Sequence, residues 1–268
     1  MFYNAHNGNL KIDDTDIDYV SFGTGTKNLV IIIGLNDGIF PVKGTAIPLA
    51  IAYRIFAPYY TVYVFGRKNR MEKGYSTRDM ARDQAAVMQA LGISQADVVG
   101  ISQGGMVAQY LAIDYPELVH KLILGVTLSR PNKLIQSAVG TWIRLASAED
   151  FKGLLISSAE KAYTEKRLRI YRMLYPFLGL IRKPKSMNRF LIQANACLGH
   201  NAYSELNKIM CPTLVIGGAC DQIVGAAASR ELAKAIQDSK LYIYKDYGHT
   251  VYEEAKDFNR RMLHFLCK

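Results

Sequence analysis

Residues 29–33 read Leu-Val-Ile-Ile-Ile, five aliphatic side chains in a row with no polar position among them. A strand with one wet face alternates, so an unbroken β-branched run is what a strand covered on both faces requires. That requirement points to a sheet with helices on either side. The run stops at Gly34-Leu-Asn-Asp-Gly38, a loop, and an apolar helix is expected over about residues 44–57. The rhythm then repeats. Strands are expected at 61–65, 97–101, 118–128, 213–217 and 241–244. Between the first two of these, Ser76-x-x-Asp79 has the pattern of a capping box, Met80, Val87, Met88 and Leu91 recur at helical spacing, and Gly92 supplies a stop. Met106, Val107, Tyr110 and Leu111 mark one face of the helix after 97–101, and residues 226–236 form another helix. The last helix should start at Thr250-x-x-Glu253, with Val251, Ala255, Phe258, Met262 and Phe265 inward. Two alternating stretches, residues 2–10 and 18–22, read as an antiparallel hairpin at the front. The fold class is therefore α/β, a mostly parallel, doubly wound sheet of about eight strands.

Residues 129–208 break the rhythm. They hold no clear strand, are rich in helix formers, and carry Tyr175-Pro176 and Lys183-Pro184 interruptions. The expected division is a core of residues 1–128 and 209–268 with a helical cap, 129–208, inserted above the sheet. Charge divides the same way. Residues 130–210 contain 14 Lys and Arg against 5 Asp and Glu, while the rest of the chain has 19 against 18, so most of the net charge of +10 lies in one segment. Three readings of the mixed apolar and basic stretch 170–185 stay open. Its apolar side chains cover the sheet edge and its charges are solvated; or the cations steer an anionic substrate; or the stretch touches anionic lipid.

Several classes fall away. The longest apolar run is about six residues, against roughly 20 for a spanning helix, so no stable membrane insertion is expected. The opening MFYNAHNGNLKIDDTD has neither a basic nor an apolar signal region. The four cysteines, at 197, 211, 220 and 267, show no C-x-x-C spacing, so reduced thiols in a cytoplasm are the expectation, with no metal site and no cofactor. A basic recognition helix and an aromatic RNA-binding strand are both missing, so nucleic acid is not an expected partner.

The chemistry gathers just after strands, where open α/β sheets bind ligands. Gly100-Ile-Ser-Gln-Gly104 follows the strand at 97–101 and opens a helix. By itself G-x-S-x-G arises in roughly one chain in ten of this composition, so context has to carry it. A serine hydroxyl needs a base, and the base an orienting acid. Among five histidines, at 6, 120, 200, 249 and 264, His249 lies in Asp246-Tyr-Gly-His249-Thr250, a loop between a strand and a helix. Asp221 follows the strand at 213–217 at the same sheet edge. Asp246 is its rival, but three residues from His249 it reaches the far ring nitrogen with difficulty.

With Ser102, Asp221 and His249 in that order, the chain resembles the α/β-hydrolase superfamily over about residues 18–128 and 210–266. The motifs that carry the resemblance are Gly100-Ile-Ser-Gln-Gly104, Pro212-Thr-Leu-Val-Ile-Gly-Gly-Ala-Cys-Asp221 and Gly248-His249. The resemblance implies a Ser102 nucleophile, a His249 base, an Asp221 acid, and an oxyanion site made by the Leu35 and Gln103 backbone N–H groups. Where the family has His-Gly before the first donor, this chain has Ile33-Gly34. Asn36 and Asp37 then lie near the oxyanion side, Asp37 as a loop carboxylate facing solvent. Serine at 102 speaks against the branches that use an aspartate there.

The implied function is a serine hydrolase acting on a carboxylic ester or lactone of a small or medium substrate, anionic if the basic cap steers it. An aminopeptidase, a carbon–carbon bond hydrolase or an acyltransferase would use the same residues, as would a slow receptor of hydrolase ancestry. An oligomer is left open.

Overall fold

A computed structural model describes residues 3–12 and 15–268. Phe2, which opens the first alternating stretch, lies outside them, as do Met1, Asp13 and Asp14. Strands β1 (His6–Ile12) and β2 (Thr15–Phe22) pair antiparallel. They are followed by β3 (Lys27–Ile32), β4 (Tyr60–Lys68), β5 (Ala96–Ile101), β6 (Val119–Gly125), β7 (Thr213–Gly218) and β8 (Ser239–Tyr244). These make one eight-stranded sheet of order β1-β2-β4-β3-β5-β6-β7-β8, parallel from β4 to β8.

The all-apolar run sits in the middle of that sheet, and its alternate residues enter two different cores. Val30 and Ile32 pack with Met80, Val87 and Met88 of α2 (Thr77–Ala90), Val107 and Leu111 of α3 (Gln103–Asp114), and Leu232 of α8 (Ala226–Ala235). Leu29 and Ile31 pack instead with Ala46 and Ala50 of α1 (Ala46–Ala52) and with Phe258, Met262 and Leu266 of α10 (Phe258–Leu266). Both faces are covered, which is why polar residues are excluded from the run.

Four helices lie between β6 and β7: α4 (Lys133–Ser147), α5 (Phe151–Ala162), α6 (Glu165–Leu174) and α7 (Asn188–Gly199). A third apolar cluster seats α4, α5 and α7 on the carboxyl ends of the strands, joining Ile135, Trp142, Leu154 and Phe190 to Leu35, Met106, Leu128 and Ile223.

Local signals hold where the partner is local. Ser76 accepts from the Asp79 N–H at 3.1 Å while the Asp79 carboxylate accepts from the Ser76 N–H at 3.0 Å, both bonds of the capping box. Four expectations change. The first helix covers only Ala46–Ala52, with turns after it. Helix α3 is buried on every side from Gln103 to Ile113, because α2 and the turn at Tyr203–Lys208 cover the face turned from the sheet. The strand expected to reach Leu128 ends at Gly125, whose carbonyl turns to accept the Ser102 N–H at 2.8 Å. The final helix is two pieces, α9 (Val251–Glu254) and α10, and Leu266 rather than Phe265 completes the buried face.

Candidate active site

Ser102 joins β5 to α3 with φ of 56° and ψ of −120°, a left-handed conformation that a non-glycine residue adopts only under constraint. The constraint is the close approach on either side. A Cβ at Gly104 would stand 1.8 Å from the Ile32 carbonyl oxygen, and one at Gly100 would stand 2.5 Å from the Gly104 oxygen. Only glycine lets α3 start this close to β3, and the turn then lifts the Ser102 hydroxyl above the strand ends.

The Ser102 hydroxyl donates to Nε2 of His249 at 2.9 Å. Nδ1 of His249 donates to Oδ2 of Asp221 at 2.8 Å, since an ionised carboxylate can only accept. The other Asp221 oxygen accepts from the backbone N–H groups of Ile223 and Val224 at 2.8 and 3.0 Å. Burial by itself would push the Asp221 carboxyl up, but His249 and these two N–H groups hold it below the usual carboxylate range. His249 and Asp221 are both about 6% exposed.

The structure therefore brings Ser102, His249 and Asp221 together and leaves Asp246 exposed on its loop. The other four histidines are elsewhere. His6 and His264 are exposed, and His120 bonds Asp97 at 2.8 Å at the opposite ends of the strands. His200 is buried 2.9 Å from the Thr77 hydroxyl, and burial pushes its pKa down to about 3. The unfolded chain takes up that proton near the ordinary histidine value of about 6.5, whereas the folded chain resists it. Stability should thus fall as pH drops below about 6.5, with a slope from this residue approaching 1.4 kcal/mol per pH unit. Urea midpoints at pH 7 and 5 should converge in His200→Gln relative to the native chain; equal slopes would remove this assignment.

Gly34 rests against the serine, where a Cβ would stand 3.2 Å from Ser102 Cβ. Leu35 and Gln103 begin the turn Leu35–Gly38 and helix α3, so their N–H groups have no intrahelical acceptor. Ile33 stands where the resemblance implies a histidine, and its carbonyl is held by a buried arginine. Arg67, 1% exposed, donates from Nη2 to the Ile33 carbonyl at 2.7 Å.

Asp37 corrects the expectation of a solvent-facing carboxylate: it is wholly buried. Its Oδ2 accepts from Arg189 Nη2 at 2.6 Å and from Gln193 Nε2 at 3.2 Å, and its carbonyl also accepts from Arg189. Both partners are on α7, more than 150 residues away in sequence. The Gln103 side chain reaches the same helix, donating to the Gln193 carbonyl at 2.8 Å and to Cys197 Sγ at 3.1 Å. Gln103, the first residue of α3 beside Ser102, thus holds α7 with its side chain. No sequence pattern announced either connection.

Thr250 was expected to cap the last helix. Its hydroxyl instead donates to the Ala162 carbonyl at 2.8 Å, and its N–H donates to the same oxygen at 3.1 Å. Tyr163 donates to Glu253 at 2.6 Å and Thr164 to Glu254 at 2.6 Å. The loop that carries His249 is thereby pinned to the end of α5.

A cavity of about 520 Å³ opens from Ser102 and His249 between the segment 39–53 and helices α4, α5 and α7. Its walls are mainly apolar, with Ile39, Pro48, Leu49, Trp142, Phe190 and Ile223 prominent. Among the described residues that line it there is no lysine or arginine, and Glu253 is the one carboxylate. The surplus cations of residues 130–210 lie outside its wall. Among the described residues no group of three His, Cys, Asp or Glu side chains is placed to hold a metal ion. No helix among them is long and apolar enough to cross a membrane.

Comparison with known proteins adds to this geometry. A family profile described as alpha/beta hydrolase fold matches residues 65–256. The chain is 30% identical over 226 residues to a 2-hydroxymuconate semialdehyde hydrolase of Pseudomonas putida, covering 80% of this chain and 77% of that protein. It is 29% identical over 206 residues to a 2-hydroxy-6-oxononadienedioate/2-hydroxy-6-oxononatrienedioate hydrolase of a Pseudomonas species, covering 72% and 71%. The fold is shared with an enol-lactonase from Burkholderia xenovorans at a TM-score of 0.82 and 17% identity, over 97% of this chain and 100% of that one.

Proposed function

Because this chain belongs to the α/β-hydrolase fold family, we propose that it is a serine hydrolase cleaving a carboxylic ester or lactone whose acyl portion is small to medium and uncharged. The observation that carries this reading is the hydrogen-bonded series Ser102–His249–Asp221 opening onto an apolar cavity of about 520 Å³ without a cation in its wall. In the proposed reaction His249 Nε2 takes the Ser102 proton as Oγ attacks the ester carbonyl. The Leu35 and Gln103 N–H groups receive the oxyanion. As it collapses, the carbon–oxygen bond to the leaving alkoxide breaks and His249 returns the proton to that oxygen. Water, deprotonated by the same imidazole, then attacks the acyl-enzyme and restores the serine. Asp221 stays ionised throughout and holds the tautomer with a proton on Nδ1. Helices α4 to α7 act as the cap, which shapes the acyl pocket through Trp142 and Phe190.

A second reading, carbon–carbon bond hydrolysis, draws support from the names of the curated relatives and would use the same three residues. One of those relatives is named for a dioate, a substrate with two carboxylates. A wall whose single fixed charge is Glu253 suits a neutral acyl group better.

The test is labelling with a fluorophosphonate followed by a panel of aryl esters of graded acyl length, lactones and a 2-hydroxy-6-oxo-dienoate. The expected result is labelling, and the highest kcat/KM among uncharged esters or lactones. Failure of the folded protein to label removes the serine-hydrolase reading. A dienoate turned over faster than every ester moves the assignment to the second.

A further inference from the structure

Helix α6 and the turn that follows it, Tyr175–Leu180, leave a run of large apolar side chains at the surface, whereas α4, α5 and α7 each send several into the third cluster. Only Leu168 of α6 is buried. Met173 is 67% exposed, Phe177 61% and Leu180 83%, and Ile170, Leu174 and Ile181 are exposed beside them. Six large apolar side chains exposed within residues 170–181 exceed the scattered single exposures that are ordinary on a monomer's surface.

Charge indicates the kind of partner. Residues 165–185 hold seven Lys and Arg against one Glu, +6 of the chain's net +10. Some of that charge is used locally: Arg172 pairs with Glu160 and Glu165, and Lys183 with Glu149. Among the described residues Lys166, Arg182 and Lys185 form no ion pair. Cations alone would suit any polyanion. Cations on either side of protruding Met, Phe and Leu suit a surface that offers phosphate at the level of the charges and hydrocarbon just beneath.

The feature is also braced. Arg172 and Tyr175 both bond Glu160 of α5, at 2.6 and 3.0 Å, while α5 contributes Ser158 and Ala162 to the cavity wall. The exposed ledge is thus one helix away from the proposed active site and tied to it.

We propose that this ledge docks the protein peripherally on an anionic lipid surface. Met173, Phe177 and Leu180 enter the boundary between headgroups and acyl chains, and Lys166, Arg182 and Lys185 face the lipid phosphates. The docking is independent of the reaction assigned above and is measured without it.

The test is co-sedimentation of the full chain with vesicles of phosphatidylcholine alone and of phosphatidylcholine containing one quarter phosphatidylglycerol. The chain should pellet with the anionic vesicles, far less with the neutral ones, and progressively less as salt rises. Each cation near the surface is worth roughly fivefold in partitioning, so K166E/R182E/K185E should weaken binding by about 100-fold or more. M173S/F177S/L180S should also lose binding at least tenfold, with thermal unfolding and hydrolysis of a soluble ester unchanged. Equal binding to both vesicles, binding to neither, or native-like binding by the apolar triple variant would overturn the proposal. So would a concentration-dependent dimer in sedimentation velocity that the apolar triple variant abolishes, since the ledge would then face a second copy of the chain.

Discussion

Ser102→Ala is expected to lower kcat for a good ester by about 10⁶-fold, and His249→Ala by a similar factor, with the double variant no worse than either. In the proposed mechanism the three side chains act as one unit. Without the hydroxyl there is no nucleophile, and without the imidazole the hydroxyl keeps its proton, so the second loss has nothing left to remove. Asp221→Asn should cost about 10⁴-fold. Its oxygens are committed, one to His249 and the other to the Ile223 and Val224 N–H groups. An amide there can turn its NH₂ toward Nδ1, which then accepts and leaves the proton on Nε2, where the base is needed. KM should change little in each case, since the acyl group is held by the apolar wall. Steady-state kinetics beside circular dichroism checks this. A Ser102→Ala variant within tenfold of the native rate would show that the nucleophile is elsewhere.

Arg189→Met should give the largest change in stability, a loss of about 3 kcal/mol in urea unfolding. Asp37 is wholly buried, and removal of the guanidinium leaves its carboxylate with Gln193 as its remaining side-chain hydrogen bond. The loss stands at the lower end for a broken buried pair, because Arg189 is 17% exposed and the Arg67 guanidinium is still close enough to act on Asp37. Combining it with Asp37→Asn should recover part of the loss, since the amide buries more easily than the stranded charge. Arg189→Met should also lower kcat, because Asp37 belongs to the turn whose first residue, Leu35, is the proposed donor of a backbone N–H to the oxyanion. A loss under about 1 kcal/mol would mean the pair is a bystander.

These two experiments also divide what was readable from what was not. Ser102, Asp221 and His249 could be found in the sequence from their positions after strands, although the residues immediately around Ser102 were not enough by themselves. Each follows the end of a strand, in an order that a parallel sheet brings to one edge, and local patterns located the strands. Asp246 was set aside on local reach alone, and it is exposed on its loop. Asp37 could not be read this way. An aspartate in a loop between Gly34 and Gly38 looks solvated unless one knows that Arg189 of α7 closes over it. The Thr250 hydroxyl suited a helix cap until α5 offered the Ala162 carbonyl. Helix α3 read as one-sided because the elements that cover its outer face come from distant parts of the chain.

Sequence by itself determined the sheet, its two covered faces and the edge where chemistry gathers. Those depend on periods of two and 3.6 residues and on turns only a few residues long. Tertiary structure alone decided how the insertion sits. It clamps the Leu35 turn through α7 and the His249 loop through α5, and it turns the apolar side of α6 outward. Those outcomes rest on which polar groups find partners, and here most partners come from far along the chain, where periodicity carries no information.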